Sequence, residues 1–230
     1  MKLRSCRVIR KCWPGVVLAL TLLLLDHGFG GEDGYDIWQP PSGQPEQMRS
    51  RVNYDPNLSD LFFESSEWSY PWWIIKHPDG HFEETTGDER PEEEPPRERH
   101  TAKCFSTGFG SKHVVEFCEA RLVDNNTIDL LIHHTCPGFL DRLRVQVNAE
   151  RFTCQYWTFY PGPIGQADFI WTTMRQKLTL EKQAFRKGDV IRGRIDFECL
   201  QEATYPKFVE KWGTWPKIIK LYGVFKTIVE

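Results

Sequence analysis

The chain has 230 residues, 40% hydrophobic and 27% charged, with 29 basic against 32 acidic side chains for a net charge of −3. That balance offers no excess of positive charge with which to hold nucleic acid or an anionic membrane. Nine tryptophans and fifteen phenylalanines give it a globular composition, with material for a sizeable core.

The first thirty residues read as a secretory signal peptide. Lys2, Arg4, Arg7, Arg10 and Lys11 form a basic head, Gly15 to Leu25 an apolar run, and Gly28 and Gly30 a small-residue exit. The run is shorter than the roughly 20 apolar residues a membrane span needs. Cleavage near Gly30 would remove five basic residues and one acidic one, leaving 24 against 31, or −7. A secreted or periplasmic protein with no membrane insertion after cleavage is therefore expected. Cys104, Cys118, Cys136, Cys154 and Cys199 remain in the mature part. In an oxidising compartment they would tend to pair, and five leaves one over.

Residues 31–102 read as an N-terminal extension. Residues 31–60 are rich in Pro, Gly and Gln and are expected to be poorly structured. Residues 61–84 are dense in aromatics, and "WWIIKHPDGHFEE" predicts a β-hairpin about the turn Pro78-Asp79-Gly80. Residues 83–100 carry eight acidic residues, three arginines and three prolines, the composition of a solvated linker.

Residues 103–230 read as strands. "HVVEFCEARLV" runs to the turn-forming "DNNT", and "TIDLLIHHTC" follows. In "DRLRVQV", Leu143, Val145 and Val147 alternate with Arg142, Arg144 and Gln146, the pattern of a half-buried strand. Pairing Val147 with Phe152 sets Val145 opposite Cys154 and Leu143 opposite Tyr156, so each inward residue meets another. "DFIWTTMRQKLTLEK" reads as one long strand or two broken ones. "GDVIRGRIDFECL" alternates again, and its Gly193 predicts a bulge or a close backbone approach. "KIIKLYGVFKTIVE" closes the chain as a strand. Seven or eight strands without an amphipathic helix predict an antiparallel β-sandwich, or alternatively a β-barrel. Cys154 and Cys199 share inward parity and are the candidate disulfide.

Three groups of residues could carry function. His77 and His81 flank the Pro78-Asp79-Gly80 turn, where two imidazoles could hold a transition metal with Asp79, Glu83 or Glu84 as oxygen ligands. Apart from that metal, no cofactor is implied. Trp72, Trp73, Trp157 and Tyr160 could form an aromatic surface for a glycan or a protein partner. His133 and His134 in "HHTC", with His113 or Asp141 nearby, could build a metal site or a Cys-His nucleophile. Adjacent strand residues point to opposite faces, so at most one of the two histidines serves a given site. The sequence holds no GxSxG, HExxH, P-loop or dinucleotide fingerprint. A non-enzymatic binding or accessory protein is the first expectation. The alternatives are a metal-dependent or hydrolytic enzyme using His/carboxylate residues, and a structural envelope component.

Overall fold

A computed structural model of the chain describes residues 38–84, 94–108, 110–124, 126–134, 140–159, 169–204 and 216–230. The expected signal peptide, residues 85–93 of the acidic linker, Cys136 and Tyr160 lie outside the described residues. Residues 40–230 form one compact unit. The N-terminal half of its strands are β1 (Arg49–Arg51), β2 (Asn53–Tyr54), β3 (Trp68–Ser69), β4 (Ile74–Lys76), β5 (Phe82–Glu84), β6 (Glu98–Arg99), β7 (Ala102–Ser106) and β8 (His113–Val115). The rest are β9 (Phe117–Asp124), β10 (Thr127–His133), β11 (Leu140–Asn148), β12 (Arg151–Phe159), β13 (Phe169–Leu180), β14 (Val190–Ala203) and β15 (Lys217–Ile228). One short helix, α1 (Leu61–Glu64), precedes β3.

The fold is a β-sandwich of two open sheets. Sheet A has the order β1-β12-β11-β10-β9, and sheet B the order β2-β13-β14-β15-β7-β8. All pairings within them are antiparallel except that of β2 with β13. Among the described residues neither sheet closes on itself, so the fold is not a barrel. The β11–β12 hairpin has the register that alternation predicts: Val147 faces Phe152, Val145 faces Cys154 and Leu143 faces Tyr156. Those six side chains are buried, and across the interlayer the Tyr156 ring stacks on Phe197 of β14 at 6.0 Å.

Three features depart from the pattern of alternation. First, the segment expected to lack structure supplies an edge strand to each sheet, β1 beside β12 and β2 beside β13. Gln176, an inward polar residue of β13, explains how β1 is held. Its Nε2 donates to Met48 O (2.7 Å) and Ser50 Oγ (3.0 Å), and its Oε1 accepts from Cys154 N (3.0 Å). One side-chain amide on sheet B thus reaches across the core to the β1 and β12 segments of sheet A. Second, "HVVEFCEARLV" is two strands, because the chain crosses from sheet B to sheet A at Glu116. Inward parity shifts there, from Val115 to Cys118 and Ala120. Third, Gly193 is a close approach and not a bulge. It lies in unbroken register opposite Phe225 and Leu180, and a Cβ there would stand 2.1 Å from Phe225 Cζ, too close for the ring to stay where it is.

The expected Cys154–Cys199 disulfide is absent: both cysteines are free and buried, as are Cys104 and Cys118. Parity assigned the faces correctly, with Cys154 on β12 of sheet A and Cys199 on β14 of sheet B. A bridge needs Cα atoms about 4.4–6.8 Å apart, whereas facing sheets stand about 10 Å apart, so shared inward parity does not bring two cysteines of opposite sheets within reach; the sheets must also approach locally. Burial pushes all four thiols above their ordinary range, and they act as small hydrophobes.

The aromatic N-terminal segment stands in a layer of its own. Helix α1 is capped by Asp60, whose carboxylate accepts from Phe62 N at 3.0 Å, and it lays Phe62 and Phe63 with Leu58 on Val224 of β15. Strand β3 pairs with β6, so Glu98 and Arg99 of the acidic stretch are held in a two-stranded sheet. Among the described residues, strands β4 and β5 pair only with each other.

Candidate functional site

The β4–β5 hairpin builds its site through strand parity. The pairings are Ile74 with Glu84, Ile75 with Glu83 and Lys76 with Phe82, and His77 N continues the ladder to His81 O at 2.9 Å. Alternation then sends Ile75, His77, His81 and Glu83 to one face. On the other face Phe82 is buried, with Tyr70 against its edge at 5.1 Å and the Lys76 ammonium over its ring at 5.2 Å. The hairpin therefore has a small apolar footing of its own. Its turn closes through Gly80 N donating to His77 O at 3.0 Å, and Gly80 has φ +99°. A residue with a Cβ is strained at that φ, which is why glycine closes the turn.

The two imidazoles stack in parallel, with centroids 4.1 Å apart and planes 5° apart. His77 Nε2 lies 2.6 Å from Glu83 Oε2, and His81 Nδ1 lies 2.6 Å from Asp79 Oδ1. The His81 hydrogen bond holds the Asp79 carboxyl below its usual range. One ligand atom each from His77, His81 and Glu83 falls within 4.8 Å of the others. Asp79 engages Nδ1 of His81, which leaves Nε2 as that ring's ligand nitrogen; a carboxylate on the remote nitrogen is how proteins orient a metal-binding imidazole.

Of the four aromatics expected to form a binding surface, two are exposed. Trp72 and Trp73 are 41% and 36% exposed, with Trp68 at 53% and Ile75 at 43% nearby in sequence. The Trp72 and Trp73 rings meet edge to face, 5.4 Å apart at 83°. Trp157 is a correction: it points away from the interlayer core, opposite in parity to Tyr156, yet is 0% exposed and belongs to no free surface. Tyr160 lies outside the described residues.

Three further histidines, His113, His133 and His134, gather around the crossing from sheet B to sheet A. His113 on edge strand β8 reaches Asp141 of β11, Nε2 to Oδ2 at 2.7 Å, and its Nδ1 lies 3.1 Å from Ser111 O. Asp141 is fully buried and also accepts from Tyr156 Oη at 2.6 Å. Both ring nitrogens of His113 thus face acceptors, and both bonds form together only in the imidazolium. Burial pulls the His113 imidazole down, but the Asp141 hydrogen bond and charge, the Ser111 carbonyl and Glu116 outweigh it, so it is raised above its ordinary value. His134 Nδ1 pairs with Glu116 at 2.9 Å, and His133 Nε2 with Glu119 at 3.0 Å. As expected for adjacent strand residues, the last two serve different carboxylates.

A cavity of about 390 Å³ lies beside this cluster, lined in part by Glu98, Phe117, Cys118, Glu119 and His133. It holds no activated nucleophile among the described residues, since burial, Cys104 and Glu119 all push the Cys118 thiol up. Burial and the neighbouring Glu116 raise Glu98. Glu116, Glu98 and Tyr156 were missed as partners in the sequence; the parity shift between Val115 and Cys118 is the one local signal that Glu116 turns a corner. Among the described residues no helix is long and apolar enough to cross a membrane. No known family model matches this chain. No curated protein and no solved structure matches it either.

Proposed function

We propose that this chain is a secreted or periplasmic, non-enzymatic binding protein that engages a protein partner through its aromatic hairpin layer. The observation that carries the reading is the exposure of Trp68, Trp72, Trp73 and Ile75 in a segment whose hairpin, among the described residues, pairs only with itself. The hairpin's own footing is Phe82, Tyr70 and Lys76, so these tryptophans are not needed to cover the sandwich. Exposed Trp beside aliphatic surface is the composition of interface anchors. A protein is favoured over a glycan because successive sugar rings stack on coplanar faces, whereas Trp72 and Trp73 stand at 83°. The basic, apolar and small-residue succession of residues 1–30 supports export.

The test is capture from the native compartment with the full chain and with Trp72→Ala/Trp73→Ala. Loss of an anchor tryptophan costs about 2 kcal/mol or more, roughly 30-fold in affinity. A partner retained by the wild type and lost by the double variant, with unchanged thermal stability, is the expected result. Equal retention by both proteins would overturn the reading, and binding confined to a glycan array would replace the protein partner with a sugar.

A further inference from the structure

We propose that His77, His81 and Glu83 form a site for one divalent transition-metal ion of the zinc and copper class. The site stands independently of the partner reading, because its ligands are polar groups at the hairpin tip and not the tryptophans.

Three observations converge on it. The first is chemical: two imidazoles and one carboxylate make a mixed nitrogen and oxygen set, which suits Zn²⁺, Cu²⁺ or Ni²⁺ and not the all-oxygen preference of Ca²⁺ or Mg²⁺. The second is geometric. Ligands about 2.0–2.1 Å from a tetrahedral ion stand about 3.3 Å from one another. Here the three ligand atoms lie within 4.8 Å of one another, and His77 Nε2 and Glu83 Oε2 are at 2.6 Å, a spacing close to that of a tetrahedral set. The backbone is already fixed by the His77–His81 ladder bond and the Gly80–His77 turn bond. The third is orientation. Asp79 holds Nδ1 of His81 at 2.6 Å, the outer-shell contact that sets an imidazole's ligating nitrogen. Three protein ligands on a partly exposed tip leave a coordination position open to water or to a donor atom from another molecule.

The test uses the full chain, titrated with ZnCl₂ by isothermal calorimetry and with CoCl₂ for the visible absorption of a nitrogen-ligated ion. The expected result is one Zn²⁺ site that His81→Ala and Glu83→Gln each weaken at least tenfold, with Ca²⁺ and Mg²⁺ failing to compete. His100→Ala, outside the hairpin, should leave affinity and stoichiometry unchanged. Trp72→Ala/Trp73→Ala should keep the metal while losing the partner, and His81→Ala should keep the fold by circular dichroism. Equal affinity in wild type, His81→Ala and Glu83→Gln would overturn the site, as would displacement of Zn²⁺ by Ca²⁺ at equal concentration.

Discussion

Substituting Asp141 by Asn should destabilise the protein in a pH-dependent way. Asp141 is fully buried and receives two hydrogen bonds, from Tyr156 Oη at 2.6 Å and His113 Nε2 at 2.7 Å. Asn keeps the shape and one acceptor but removes the charge opposite the imidazolium. Breaking one side of a buried ion pair costs roughly 3–5 kcal/mol, and the retained acceptor places this change near the lower end, about 3 kcal/mol. For a chain of this size that corresponds to a fall in Tm of about 6–12 °C. The sign of the pH dependence follows from His113, whose imidazole is raised in the folded protein. A raised histidine contributes stability that is fully present below its unfolded value of about 6.5 and is lost as pH rises through the folded value. The deficit of the variant should therefore be largest near pH 5.5 and shrink by pH 9. Glu116 and His134 face the same cluster and are unchanged by the substitution, so the difference between the two proteins isolates Asp141.

Urea denaturation of both proteins at pH 5.5 and pH 9 measures the effect, and a proton NMR titration of His113 gives a second readout, expected to move down in the variant. Tyr156→Phe is the comparison. It removes one hydrogen bond to a charged group, worth about 1.5–3 kcal/mol, with little change between the two pH values. A variant within about 1 kcal/mol of wild type at pH 5.5, or an equal deficit at both pH values, would refute the imidazolium–carboxylate reading.

Other substitutions test other parts of the structure. Gly193→Ala places a Cβ 2.1 Å from Phe225 Cζ and should cost about 1–3 kcal/mol by urea denaturation, while Gly188→Ala, with open space around it, should show only the strain of its positive φ. Gly80→Ala strains the turn at φ +99° and should weaken Zn²⁺ binding without a comparable loss of sandwich stability, read by calorimetry beside a melting curve. The four described cysteines should resist a thiol reagent in the folded protein and release at least four equivalents on denaturation without reductant; fewer would mean that some of them are bridged.

The sandwich was legible where one face of a strand is buried and the other solvated. In β11 and β12, Leu143, Val145, Phe152 and Tyr156 carry the whole register, because a one-residue slip would bring Arg142 and Arg144 inward. Strands β1 and β2 were not legible, since Arg-Ser-Arg and Asn-Tyr carry no apolar alternation. Their order comes from the neighbouring edges and from Gln176, a residue whose role depends on three segments distant in sequence. The disulfide reading failed for a related reason: alternation assigns Cys154 and Cys199 to faces, but the offset between sheets decides which residues oppose one another. Trp157 shows the converse, a residue with outward parity that is nevertheless fully buried.

The two histidine groups differ in what their carboxylates do. At the sheet crossing, His113, His133 and His134 each take a separate acid partner, Asp141, Glu119 and Glu116. At least the first of these ties an edge strand of sheet B to a strand of sheet A, so its charge is used in joining layers. On the hairpin, strand parity brings His77, His81 and Glu83 to one face, while Asp79 orients His81 from the turn. There the carboxylate of Glu83 meets His77, whose ring stacks on that of His81, so both partners of the pair lie on one hairpin. A protein that needed the hairpin only as a turn could close it with Pro78, Asp79 and Gly80 alone. Convergence of three donor atoms just beyond that turn is the part that turn formation does not require, and it is the part the metal titration tests.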